Sequence, residues 1–254
     1  MTDGRLSNGK LSIIIPVFNE ADYIGQVLER VMALEIEKEV LVVDDGSTDG
    51  TVAVLRVLAA RWPGPELSVR YLGENHGKGR AIRAGIEHAT GGVIAIQDAD
   101  FEYDPSELPG LAEPIFAGAE RAVYGSRFLG EIENMAPTNR LANRILSLIA
   151  TVLFGQRITD EATCYKLFEA GLLKSLPLIC RRFEFCPEVT AKVRRRGVRI
   201  REIPISYVGR TTLEGKKIRW WDGLAAIWTL LRFRFSRRPR LTGSPPGPGP
   251  ASGS

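Results

Sequence analysis

The chain has 254 residues, 44% of them hydrophobic and 25% charged, with a net charge of +4. This is an ordinary globular composition for one large domain or two small ones. Cys164, Cys180 and Cys186 lack metal-ligand spacing and read as reduced thiols of a cytosolic protein, which excludes a disulfide framework. The first ten residues carry no apolar leader. The longest uncharged apolar run, residues 145–154, is half the roughly 20 residues a membrane span needs. Residues 181–240 hold 17 Lys/Arg against 5 Asp/Glu, a local +12 that leaves the first 180 residues at −8. A basic C-terminal third suggests a polyanionic partner: nucleic acid, anionic lipid or a phosphorylated substrate.

In chain order, Leu11 to Val17 reads as a buried strand, followed by Phe18-Asn19-Glu20 and a helix carrying Ile24, Val27, Leu28, Val31 and Leu34 at helical spacing. Val40 to Val43 is a second short strand, closed by Asp44-Asp45-Gly46-Ser47-Thr48-Asp49. Its last three residues are N-cap candidates for a helix running to about Ala60. Leu67 to Leu72 is a third strand, and Asn75-His76-Gly77-Lys78-Gly79 opens a helix to about His88. Val93 to Ile96 is a fourth strand that leads into Gln97-Asp98-Ala99-Asp100. A helix from about Ser106 to Ala117, a strand at Ala122 to Tyr124 before Gly125-Ser126-Arg127, and an apolar helix from Arg140 to Phe154 follow. Next come a strand at Cys164 to Phe168, a basic helix after Pro187-Glu188, a strand at Val198 to Ile205 and a Gly- and Lys-rich loop from Tyr207 to Ile218. A last helix starts at Trp220.

Four strand–helix alternations in under a hundred residues mean a doubly wound α/β fold with a mostly parallel sheet and helices on both faces. The expected layout is a flexible N-terminus over residues 1–10, one catalytic domain over 11–218, an amphipathic basic helix over 219–240 and a disordered tail over 241–254. Strand ends that share one edge of such a sheet form its ligand crevice. In extended backbone Asp98 and Asp100 would point the same way and grip one hard divalent cation, which would in turn hold a diphosphate. On its own the octet ending at Asp100 reads equally as a strand closed by a solvated acidic turn.

Pro16-Val17-Phe18-Asn19-Glu20, Val43-Asp44-Asp45-Gly46-Ser47, Asn75 to Gly79, Asp98-Ala99-Asp100 and Gly125-Ser126-Arg127 resemble, in order and spacing, family 2 glycosyltransferases. Thr159-Asp160, Phe183 to Glu188, Ile203 to Tyr207 and Arg210 to Lys217 resemble the dolichyl-phosphate mannose synthase and polyprenyl-phosphate glycosyltransferase branch. The resemblance covers about residues 11–235. It implies a GT-A fold and an inverting, metal-dependent transfer of mannose or glucose from a nucleotide diphosphate sugar (GDP- or UDP-hexose) to a polyprenyl phosphate. It further implies that Pro16, Phe18, Glu20, Val43 and Asp45 hold the nucleotide, and that Asp98, Ala99 and Asp100 hold Mg²⁺ or Mn²⁺ and the diphosphate. Arg127, Arg210 and Lys216 match phosphate ligands, with Asp98, Asp100 and Arg127 the residues expected to carry catalysis. Phe18 stands where family members often have Tyr, Glu102 where some mannose synthases have Gln, and Lys217 is an additional lysine.

A polyprenyl phosphate is already anionic and needs no general base, whereas a hydroxyl acceptor would need one, for which Asp160 and Glu188 are the candidates. Leu141, Ile145, Leu148, Ile149, Val152 and Leu153 form an apolar stripe. Trp220, Trp221, Trp228, Leu230 and Leu231, followed by arginines through Arg240, resemble an interfacial anchor. The expectation is peripheral association with the cytoplasmic face of a membrane, and no nucleic-acid partner. The alternatives are a family 2 enzyme with a hydroxyl acceptor, and an inactive nucleotide-sugar-binding protein.

Overall fold

In the computed structural model, residue 6, residues 8–210 and residues 220–236 are described. The runs of β-branched and aliphatic residues become strands β1 (Leu11–Val17), β2 (Lys38–Asp44) and β4 (Val93–Ile96), buried along their whole length as strands covered on both faces must be. Between them lie α1 (Ile24–Met32), α2 (Thr51–Arg61), β3 (Leu67–Tyr71) and α3 (Lys78–His88). After β4 come α4 (Leu108–Phe116), β5 (Ala122–Ser126), β6 (Ile132–Glu133), α5 (Pro137–Phe154), β7 (Lys166–Glu169), α6 (Ala170–Lys174), α7 (Phe185–Arg195), β8 (Arg201–Pro204), β9 (Tyr207–Val208) and α8 (Trp220–Phe235).

The seven-stranded sheet has the order β3-β2-β1-β4-β7-β5-β8. All neighbours pair in parallel except β7, which runs antiparallel to both β4 and β5. β1 is central to the N-terminal half: Leu11 faces Lys38 of β2 and Val93 of β4, so the three strands start level. Their continuations, Phe18–Glu20, Asp45–Thr48 and Gln97–Glu102, therefore emerge together at one edge. β6 and β9 form a separate two-stranded parallel sheet beside it.

The doubly wound, mostly parallel sheet is as expected, and the departures are local. The strand expected from Cys164 starts at Lys166 and enters the sheet in reverse, because α5 and the turn after it return the chain from the edge where β5 leaves. The strand expected over Val198 to Ile205 shortens to β8, since Ile200 already gives its N–H to Gln156 Oε1 (3.1 Å). α5 starts at Pro137 rather than Arg140, with proline in the first turn where its missing N–H costs nothing. α2 has Gly50 at its N-cap, and Asp49 instead accepts from Thr51 N and Ala21 N. Within the segment expected to be a flexible N-terminus, Leu6 N donates to Phe116 O (3.1 Å) and Asn8 Nδ2 to Thr90 O (2.9 Å). The expected tail over 241–254, and Lys216 with its loop, lie outside the described residues.

α5 is apolar on two sides. Leu146, Ala150 and Phe154 are buried, while Leu141, Ile145, Leu148 and Val152 are exposed. α8 packs against α5 and α7 and repeats the pattern, with Ala226, Leu230 and Phe233 inside and Leu224, Trp228 and Phe235 outside.

Candidate active site

Three loops form the site edge, and they are laced to one another. Asn19, held at φ +53°, takes the N–H of Thr48 on Oδ1 (2.8 Å) and gives its own N–H to Ser47 Oγ (2.9 Å). Glu20 N donates to Thr51 Oγ1 (3.0 Å). Asp45 reaches across to the β3–α3 connection and accepts from His76 N (3.0 Å) and Gly77 N (2.6 Å). Gly46 (φ +74°) lies so close to this connection that a Cβ would meet Glu74 backbone carbon at 2.5 Å.

On this frame stand Glu20, Asp98, Asp100 and Glu102. Lys78, at the start of α3, donates to Asp98 Oδ1. Arg210 spreads its guanidinium over the others: Nη2 lies 3.0 Å from Asp100 Oδ2, Nη1 3.1 Å from Glu20 Oε2, and its backbone N–H 3.0 Å from Glu102 Oε1. Among the described residues, Arg210 Nε is buried without a hydrogen-bond partner. Glu102 also accepts from Tyr207 Oη (2.8 Å). Burial, then the like charges of Asp98 and Glu102, push the Asp100 carboxyl up to about 7, against the pull of Arg210 and Lys78. Burial opposes the charge on Lys78, but Asp98 beside it holds the ammonium well above the ordinary lysine range.

The two metal-ligand candidates are brought to one cluster by a different geometry from the one expected. β4 ends at Ile96, and Ala99 and Asp100 lie on a turn followed by Phe101 at φ +66°, so alternation along an extended strand does not set the two directions. Ala99 between them is buried against the core.

Arg127 and Asp160 meet each other. Arg127 Nε and Nη2 each lie 2.7 Å from an Asp160 oxygen, and Arg127 N adds a third bond at 3.0 Å. Both residues are buried, and Glu202 fixes the turn by accepting from Thr159 N and Asp160 N. The Arg127 guanidinium sits 5.0 Å from the Tyr207 ring centroid, so the pair backs the tyrosine that supports Glu102. Glu188 stands elsewhere, accepting from Ile179 N (2.9 Å), Cys180 N (2.6 Å) and Lys192 Nζ. Pro16 and Val43 are buried register partners, and Phe18 and Glu20 follow them at the edge.

Three contributors stand inside the quoted motifs but receive no role from them. Lys78 carries one further mark, because a cation in the first turn of a helix opposes the macrodipole and needs another reason to be present. Tyr207 has no mark beyond its motif. Asp44 is the third: its Oδ1 is buried with no hydrogen-bond partner among the described residues, while both Asp45 oxygens are engaged.

The donor set fits a hard divalent cation. Among the described residues no group of three His, Cys, Asp or Glu side chains is spaced to cage a metal. Mg²⁺ and Mn²⁺ are commonly held by one or two carboxylates plus substrate phosphates and water. Asp98 and Asp100 supply such a pair, and their present counter-ions, one ammonium and one guanidinium, mark where positive charge is wanted.

Comparison with known proteins agrees with this layout. The family model described as Glycosyl transferase family 2 matches residues 12–176, from β1 through α6. An undecaprenyl-phosphate mannosyltransferase of Micrococcus luteus is 31% identical over 243 residues, covering 87% of this chain and 97% of its own. An undecaprenyl-phosphate 4-deoxy-4-formamido-L-arabinose transferase of Edwardsiella ictaluri is 29% identical over 81% of this chain. A dodecaprenyl-phosphate galacturonate synthase of Rhizobium johnstonii is 30% identical over 76%. The matches span only 62% and 57% of those two longer sequences. Among solved structures, glucosyl-3-phosphoglycerate synthase from Mycobacterium tuberculosis, in complex with Mn²⁺, UDP and glucosyl-3-phosphoglycerate, superposes with a TM-score of 0.67 at 17% identity. It covers 89% of this chain and 78% of that one. Mannosyl-3-phosphoglycerate synthase from Rubrobacter xylanophilus gives 0.66 at 18% identity, covering 88% and 72%. These neighbours share the GT-A fold, and with the match running through every strand that carries the acid cluster, the chain belongs to glycosyl transferase family 2.

Proposed function

We propose that the protein transfers a hexose, mannose or glucose, with inversion, from a GDP- or UDP-linked donor to a polyprenyl phosphate at a membrane surface. The observation that carries this reading is the carboxylate cluster at the sheet edge, Glu20, Asp98, Asp100 and Glu102, gathered round Lys78 and Arg210. Support for the lipid acceptor comes from the relatives, which are named for undecaprenyl or dodecaprenyl phosphate.

Asp98 and Asp100 would hold Mg²⁺ or Mn²⁺, which when bound supplies Lewis-acid stabilisation of the departing diphosphate. Asp44 ends β2 and Asp45 follows it, where the donor base would lie, with Asp45 as the acceptor for a base N–H. Pro16, Phe18 and Val43 would wall the same pocket. Lys78 and Arg210 would be the cations beside the diphosphate, and Lys216 would join them. The lipid phosphate oxygen bonds to C1 of the sugar as the C1–O bond to the diphosphate breaks. The bonding electrons leave with the diphosphate, and no proton has to be removed. That suits a site whose candidate bases are committed, Asp160 to Arg127 and Glu188 to two amides and Lys192.

The exposed apolar faces of α5 and α8, flanked by exposed Arg140, Arg144, Arg232 and Arg234, would lie on the anionic cytoplasmic face of the membrane. Among the described residues no helix is long and apolar enough to cross a membrane. The test is a panel of labelled GDP- and UDP-hexoses incubated with polyprenyl phosphate and Mn²⁺ or Mg²⁺. The expected product is lipid-extractable and acid-labile. An acid-stable, water-soluble product would move the acceptor to a hydroxyl, and tight donor binding without product would make the chain a nucleotide-sugar binder.

A further inference from the structure

Glu188 sits on the first turn of α7, 1% exposed, and takes three donors from its surroundings. Two are the backbone amides of Ile179 and Cys180, and the third is Lys192 Nζ. Glu184, one turn earlier, accepts from Arg182 N (2.8 Å). The segment from Ile179 to Arg182 thus gives three of its amides to carboxylates at the start of α7. Its carbonyls point the other way. Arg182 O accepts from Gly79 N (2.9 Å) and Arg181 O from Arg80 N (3.0 Å), the first amides of α3. α3 has no side-chain N-cap, so this strap caps the helix in place of one.

The fit is close. A Cβ on Gly79 would meet Arg182 O at 2.8 Å and one on Gly77 would meet Arg181 O at 2.6 Å. Between these two glycines stands Lys78, whose ammonium is on Asp98.

We infer that Glu188 is a positioning residue: through the strap at 179–182 it fixes the first turn of α3 and sets Lys78 against Asp98. This rests on the reading of Asp98 as a metal ligand, and it gives Glu188 a role other than that of a base. A carboxylate is required because both amides and an ammonium must be satisfied at once. Glutamine keeps the shape, but its NH₂ would face one of those amides.

The test measures Mn²⁺ binding by electron paramagnetic resonance in the presence of UDP and, separately, GDP. Amide exchange at Gly79 and Arg80 is followed alongside. Glu188→Gln should weaken Mn²⁺–nucleotide binding about tenfold, raise donor KM by a similar factor, leave kcat within about twofold, and speed exchange at both amides. Combining it with Lys78→Met should add nothing to the loss from Lys78→Met alone, because both act on the same contact. Gly79→Ala, which pushes the strap away from the other side, should reproduce the phenotype if Glu188→Gln folds poorly. A Glu188→Gln protein with a lower Tm but unchanged Mn²⁺ affinity overturns the proposal, as does full additivity with Lys78→Met. If the wild type binds Mn²⁺ with neither nucleotide, the proposed function and the metal-positioning role fall together. Faster exchange at Gly79 and Arg80 in Glu188→Gln would even then show that the strap coupling stands.

Discussion

At the N-terminal end of β1 and β2, Glu39 is surrounded by donors. Ser12 Oγ lies 2.5 Å away, Thr90 N 2.5 Å, Thr90 Oγ1 2.8 Å, Gly91 N 3.1 Å and Lys10 Nζ 3.3 Å. Burial alone would raise its carboxyl, but the bonds from Ser12, Thr90 and Gly91 take it down to about 2. At the C-terminal end of the same strands carboxylates crowd one another: among the described residues Lys78 pairs with Asp98 and Arg210 with Glu20, Asp100 and Glu102, and Asp100 rises to about 7. One end has more donors than its carboxylate needs and closes the sheet. The other crowds like charges enough to raise Asp100, and a carboxylate cluster of that kind is a candidate cation site.

The sharpest break in this comparison is Asp100→Ala. Several kcal/mol of leaving-group stabilisation depend on the bound cation, so transfer should fall by about a thousandfold or more. Thermal stability should stay level or rise slightly, because the substitution relieves like-charge crowding. Full metal-dependent turnover by the purified variant would refute the site.

Glu39→Gln should do the reverse. The folded pKa lies below the unfolded one, so Glu39 contributes its stability above about pH 4.5 and loses it as pH falls towards about 2. A shift from 4.5 to about 2 corresponds to roughly 3 kcal/mol at neutral pH as an upper figure. Urea unfolding at pH 7 should show most of that loss in the variant. Stability of the wild type should drop between pH 4.5 and 2 more steeply than that of the variant. Turnover well below the melting temperature should not change.

Both ends were legible in the sequence to different depths. β1, β2 and β4 could be read because fully buried strands leave unbroken aliphatic runs, and the acids that follow Val43 and Ile96 fall on one edge once the strands are parallel. The directions of Asp98 and Asp100 could not be read, since alternation holds only in extended backbone and the chain turns at Ala99 and Asp100. The Arg127–Asp160 pair spans 33 residues and exists because β7 enters the sheet in reverse, an event with no local sequence mark. Glu188 and Arg210 were picked out by motif, but a motif does not record which partner a side chain holds. Glu39 went unremarked because a lone glutamate in an apolar strand gives no hint of the donors that converge on it from residues 10, 12, 90 and 91.

The smallest of these effects tests what Arg210 does for the crowded end. Its guanidinium bridges Glu20 and Asp100, and its backbone N–H holds Glu102, so it stands where a divalent cation would otherwise be drawn. A metal arriving alone must displace it from Asp100, and the freed guanidinium is then available to a diphosphate. Arg210→Gln should therefore bind Mn²⁺ more tightly than the wild type without nucleotide, by about tenfold if one such contact near 1.4 kcal/mol is lost. With the donor present the advantage should disappear, and turnover should fall by a similar factor, because the variant lacks the cation for the departing phosphates. Equal Mn²⁺ affinity of the two proteins without nucleotide would mean that Arg210 only braces the edge. The opposed signs, tighter metal and slower transfer, separate a counter-ion that yields its place from one that merely holds the loops together.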